Sequence, residues 1–155
     1  MERLNHWVNL RTADVHDIDN IAQFNSDMAL ETEGINLNQK DLRLGVAAVI
    51  SDSNLGFYLI SEHEEIMIGQ ILITKEWSDW RNGSFWWIQS VFVEREYRRM
   101  GVYTEMYNMI LEMAKNAHNV CGLRLYVDRD NVLAMQVYSH LGMVHSHYDL
   151  YEAEV

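Results

Sequence analysis

Apolar positions along this chain change period several times, and each change predicts a different element. Across ADVHDIDNIAQFNSDMALE (residues 13–31), Val15, Ile18, Ile21, Ala22 and Met28 fall near helical spacing. NQKDLRLGVAAVIS (38–51) predicts a second helix, with Asn38 as N-cap and Leu42, Val46 and Val49 facing inward. HWVNLRTA (6–13) before them reads as a strand, as do GFYLISE (56–62) and IMIGQILITKEW (66–77) after them. Asn82-Gly83 is a hairpin signal, and FWWIQSVFV (85–93) is apolar on both faces, as a covered central strand would be.

Helical spacing returns in GVYTEMYNMILEMAKNA (101–117), where Val102, Met106, Met109, Ile110 and Met113 share one face. GLRLYV (122–127) predicts a strand, NVLAMQVYSHLG (131–142) a short helix closed by Gly142, and MVHSHYDLYEAE (143–154) a terminal strand. The order is strand, two helices, three strands, helix, strand, helix, strand. That order is expected of one mixed α/β domain over residues 1–155 with helices covering a sheet.

Composition narrows the partners. A formal charge of −11 argues against broad binding of nucleic acid or anionic membrane. No stretch approaches the roughly 18 apolar residues a membrane helix requires, and the charged start MERLNHWVNL gives no sign of a signal peptide. The lone Cys121 allows no internal disulfide, and a cytoplasmic location is the default expectation.

Against that acidic background, REYRRMGVY (95–103) places Arg98 and Arg99 beside Gly101, where a buried strand hands over to an amphipathic helix. The first N–H groups of a helix have no internal partner and lie at its positive end, so such a turn suits phosphate oxygens. A rim arginine adds charge-assisted bonds and a glycine permits close approach. A solvated basic turn with a capping glycine reads equally well from these residues alone.

The stretch from Val93 to Val102 resembles the acetyl-CoA motif of GNAT-type N-acetyltransferases. Arg98 and Gly101 match, and Tyr103 stands where a small residue is usual. Downstream, Asn131, Ala134, Tyr138, Leu141 and Gly142 fill the places of the family's later motif, in the same element order. The resemblance implies a GNAT-like fold: a mixed central sheet, two splayed strands at residues 87–93 and 122–127, and helices on both faces.

It also implies a chemistry. Acetyl-CoA would be the co-substrate and the acceptor an amine of a small molecule or peptide, with a homodimer possible as in relatives. The diphosphate would rest on the turn formed by Arg98, Arg99, Met100, Gly101, Val102, Tyr103 and Thr104. The pantetheine arm would pair with the backbone of Val91, Phe92 and Val93, where one N–H serves the thioester carbonyl, and Asn131 and Ala134 would line its other side. Tyr138 would donate a proton to the leaving thiolate; its alternative is packing in the stripe of Leu133, Ala134, Val137 and Leu141. Glu31 or Glu33, at the end of the first helical region, would serve as base or attract a cationic amine; the alternative is a solvated helix end.

Other signals carry less. Trp77, Trp80, Trp86 and Trp87 crowd the hairpin, and packing is expected for most of them. His145 and His147 share a strand face without a partner at ligand spacing, so no metal is expected. A non-catalytic acyl-CoA-binding or sensor module on the same fold is the chief rival. A plain phosphate-binding α/β protein would not require the downstream motif.

Overall fold

A computed structural model describes residues 7–155 and divides the chain into two compact units, Met1–Leu125 and Tyr126–Val155. The first unit holds a five-stranded mixed sheet in the order β1 (Asn9–Thr12), β2 (Gly56–His63), β3 (Ile66–Ser78), β4 (Gly83–Val93), β5 (Val120–Arg124). The first three pairings are antiparallel, and β4 runs parallel to β5. The expected first strand is shorter than its sequence pattern, and His6 at its start lies outside the described residues.

Helices α1 (Ile18–Glu33) and α2 (Gln39–Ser51) cover one face. Ile21, Ala22 and Phe24 of α1 and Val46 of α2 bury against Tyr58, Ile60, Met67 and Phe92 of the sheet. Asn38 caps α2 by accepting from the N–H groups of Lys40 and Asp41, and Leu42 and Val49 pack against the same core. On the opposite face lies α3 (Val102–Asn116), whose Met106 methyl approaches Gly69 of β3. Helices on both faces of a mixed sheet therefore hold as expected.

Two of the apolar positions at helical spacing depart from the buried stripe. Val15 is exposed, because residues 15–17 form a 3-10 turn before α1 that breaks the helical phase. Met109 is exposed, while Tyr107 and Ala114 are buried beside Met106 and Ile110, because the apolar stripe drifts around α3 at 3.6 residues per turn. Trp77 and Trp80 are exposed at the β3–β4 hairpin, and only Trp86 of the four clustered tryptophans is buried.

An ion cluster ties the entry of α1 to the sheet edge. Arg11 of β1 grips both Asp17 oxygens at 2.8 and 2.9 Å and reaches Glu62 of β2 at 2.6 Å. Nearby, the Trp7 ring stacks on Tyr97 at 6.2 Å and meets His63 edge-on at 5.3 Å, which pins the segment after β4.

The second unit contains α4 (Val132–His140). The Asn131 side chain caps it by accepting from the Ala134 N–H, and Gly142 ends it at φ 89°, a left-handed conformation suited to glycine. The expected strand over residues 143–154 is not formed: the segment carries neither helix nor strand. Alternation alone does not make a strand, which exists only with a ladder partner.

Candidate active site at a strand-to-helix turn

The site grows from a defect in β4. Gln70 pairs with Phe92 and Leu72 with Gln89, so Ile71 alone faces Ser90 and Val91. This is a β-bulge, and Ser90 adopts φ 47°, a conformation non-glycine residues keep only when held. Gln70, fully buried, donates from Nε2 to the Ser90 carbonyl at 3.1 Å and to Asn25 Oδ1 of α1 at 2.7 Å. Burial pushes the Tyr58 phenol above its usual value.

Below the bulge, β4 and β5 part. Their last paired residues are Trp87 and Arg124, and β4 runs on to Val93 after β5 ends. Glu76 marks that rung, accepting from the Trp87 indole at 2.5 Å and from Arg124 at 3.2 Å. The Arg124 guanidinium lies over the Phe85 ring at 3.5 Å.

Beyond Val93 the chain makes a 3-10 turn at Arg95–Tyr97, extends at Arg98, and turns left-handed at Arg99 (φ 63°) and Gly101 (φ 85°) before α3 begins. No side chain caps α3, and a Cβ built on Gly101 meets nothing within 4 Å. The helix thus presents uncapped amides at its positive end beside open space. Arg95 and Arg99 are exposed at its rim, and Met100 and Thr104 are exposed as well. Val102 points into the core and Tyr103 is half-buried, so the phenol standing in the small-residue position leaves the backbone approachable from the Gly101 side. These features fit the diphosphate of a coenzyme thioester.

Arg98 faces inward rather than out. Its Nε donates to Val93 O at 2.8 Å, and its two terminal nitrogens bracket the Glu31 carboxylate at 2.5 and 3.0 Å. The guanidinium also sits 5.4 Å from the Phe92 ring centre. Hydrogen bonding from Arg98 holds the Glu31 carboxyl below the usual carboxylate range against a smaller opposing effect of burial, and Arg95 adds attraction at 3.6 Å. Glu33 is exposed at the last residue of α1.

Thus Val91, Phe92, Val93, Arg98, Arg99, Met100, Gly101, Val102, Tyr103, Thr104, Glu31 and Glu33 all lie in the first unit, with Glu31 joined to the turn through Arg98. Asn131, Ala134 and Tyr138 lie on or at the start of α4 in the second. In their stripe, Leu133 and Val137 are exposed while Ala134, Tyr138 and Leu141 are half-buried. Burial pushes the Tyr138 phenol up, which keeps it protonated at neutral pH.

Residues 16–143 match the family model for the acetyltransferase (GNAT) family. The chain belongs to this family. A possible acetyltransferase from Clostridium difficile 630 has a solved structure that superposes with a TM-score of 0.90 at 41% identity, over 97% of this chain and 99% of that one. A predicted acetyltransferase from Clostridium acetobutylicum, solved with acetyl-CoA, gives 0.77 at 22% identity, covering 94% and 96%. AAC(6')-Iy, solved with a CoA–acetylneamine bisubstrate analog, gives 0.74 at 11%, covering 96% and 98%. The last two show the shared fold alone. A search of the curated proteins returns no match. Acyl transfer from acetyl-CoA is the general chemistry of GNAT proteins, and the turn before α3 fits that co-substrate. Among the described residues no helix is long and apolar enough to cross a membrane.

Sequence reasoning passed over Gln70, Asn25 and Ser90. The available signal was a glutamine inside the apolar run IMIGQILIT, and an asparagine one helical turn after Ile21 on the inner face of α1. The bulge itself has no signature in the strand's composition.

Proposed function

We propose that this GNAT protein is an acetyl-CoA-dependent N-acetyltransferase that acts on a primary amine of a small molecule or peptide. The observation that carries the reading is the uncapped start of α3, reached through left-handed Gly101 at the end of a strand that has parted from its parallel neighbour. Bound acetyl-CoA supplies the acetyl thioester that an uncharged amine attacks.

The chain's own residues divide the remaining work. Amides from Arg99 to Thr104 receive the diphosphate, and Arg99 and Arg95 add positive charge at the rim. Arg98, committed to Val93 O and Glu31, braces the turn against the end of α1. The backbone of Val91, Phe92 and Val93 holds the pantetheine arm, which Asn131 and Ala134 line by their place in the family motif. Tyr138, protonated at neutral pH, gives its phenolic proton to the departing thiolate. Glu31, held ionised by Arg98, is a poor proton acceptor, so removal of the amine proton falls to water or to another group. Glu33 attracts the amine as a cation.

Two measurements test the reading. Titration calorimetry should show acetyl-CoA binding in a single site. Thiol release from acetyl-CoA should then rise with at least one member of a panel of polyamines, aminoglycosides, amino acids and peptide N-termini. Binding without release across that panel would leave a sensor module, and absence of binding would remove both readings.

A further inference from the structure

A buried side-chain amide costs free energy unless its donors and acceptors are met. Gln70 is met on one side only. Its Nε2 bonds Asn25 Oδ1 and Ser90 O, whereas Oε1 has no hydrogen-bond partner among the described residues. Because a carbonyl only accepts, the group facing Ser90 O must be the NH2, which fixes the amide's orientation. An apolar residue would fill this position between Ile68 and Leu72 without an orphaned oxygen. Stability alone therefore gives no reason for glutamine here; what it does is grip the bulge.

That grip has a direction. In a trans peptide the carbonyl of one residue and the N–H of the next point opposite ways, and no cis peptide occurs among the described residues. Drawing Ser90 O toward Gln70 turns the Val91 N–H away from it. The stretch concerned lies beyond Trp87, on the part of β4 that β5 no longer accompanies. Asn25 fixes the other donor of the Gln70 amide, so α1 and β3 together hold one peptide of β4.

We propose that Gln70 and Asn25 are positioning residues that clamp the Ser90 carbonyl at the β4 bulge and so aim the Val91 N–H at the thioester carbonyl of acetyl-CoA. The inference rests on the proposed acetyl transfer and adds the residues that orient its carbonyl donor. A preset donor is worth more than one that must reorganise during reaction.

The test uses Gln70→Met, which keeps length and removes the donor, with Asn25→Ser as a second variant should the first fail to fold. Each is read three ways: the Val91 amide resonance on adding acetyl-CoA or CoA, kcat against KM, and the denaturation midpoint. In the wild-type protein the Val91 resonance should move further with acetyl-CoA than with CoA. In the variants that difference should collapse and kcat should fall about tenfold or more, while the Kd for CoA and the KM for acetyl-CoA hold. A role in packing alone would lower the midpoint and leave the Val91 response and kcat intact, which overturns the proposal. So does an equal Val91 response to both ligands in the wild-type protein. A wild-type protein that shows the acetyl-specific response and turns over no amine would sink the enzymatic reading while supporting the clamp.

Discussion

Arg98 and Glu31 form a two-pronged ion pair that joins the last turn of α1 to the turn between β4 and α3. The motif arginine proposed to flank the diphosphate thus also ties the end of α1 to the turn before α3. Its Nε bond to Val93 O fixes the end of β4 as well. The loss of this pair should be felt as misplacement of the turn more than as loss of a ligand contact.

Glu31→Gln should therefore raise the Kd for acetyl-CoA and lower stability by roughly 0.5–1 kcal/mol, the scale of a partly exposed pair. The folded carboxyl is held low, so the pair's contribution is complete above the ordinary value of about 4.3 and is lost as pH falls through the lower folded value. The pH profile of kcat should keep its acidic limb, where a base would be protonated, in this variant. Disappearance of that limb in a rate–pH series would instead make Glu31 the base.

Gly101→Ala probes the turn itself. Nothing crowds the added methyl, so the cost comes from φ 85° alone and should be about 1 kcal/mol in a urea melt. Relief of that strain would turn the first amides of α3 away, and acetyl-CoA affinity should drop by more than the stability change suggests. An affinity equal to wild type, measured by calorimetry, would show that those amides do not receive the diphosphate.

Why some of this was legible in the sequence and some was not has a physical answer. Helical spacing and the Asn38 cap are local, and α1, α2 and α3 follow them. The turn at Arg98 to Gly101 was legible for the same reason: a glycine at a strand-to-helix junction is a local requirement. The inward turn of Arg98 was not, because Glu31 is far away in sequence and nothing nearby announces it. The bulge at Ser90 depends on Gln70 and Asn25, which come from different elements. Residues 143–154 alternate like a strand, yet a strand is a relation between two segments, and periodicity reports only one.

Arg11 is the cation that lets Asp17 and Glu62 sit at the sheet edge. Burial by itself pushes the Asp17 carboxyl up, but hydrogen bonds from Arg11 and from the Asp14 N–H outweigh it and hold it low; Arg11 bonds lower Glu62 as well. Both folded values lie below their unfolded ones, so their stabilisation is present at neutral pH and is lost on acidification through the folded values. Arg11→Leu should cost about 2–3 kcal/mol at pH 7 by leaving the buried Asp17 without its cation. The variant's denaturation midpoint should also vary less than wild type as pH falls from neutral through the wild-type folded values, below the usual carboxylate range. An unchanged slope would place the acid sensitivity elsewhere.

Of the proposed roles, the one given to Tyr138 makes the sharpest prediction. A thiol near its ordinary value of about 8.5 leaves as a thiolate that needs a proton, and a phenol at about 10 or above carries one to give. Burial pushes Tyr138 upward from that value, so the donor form persists through neutral pH and is lost only on the alkaline side. Tyr138→Phe keeps the ring and removes the proton. It should lower kcat about 100-fold, erase the alkaline limb of the rate profile, and leave the Kd for CoA unchanged. Turnover equal to wild type would assign the ring to packing on α4 and require another source for the thiolate's proton.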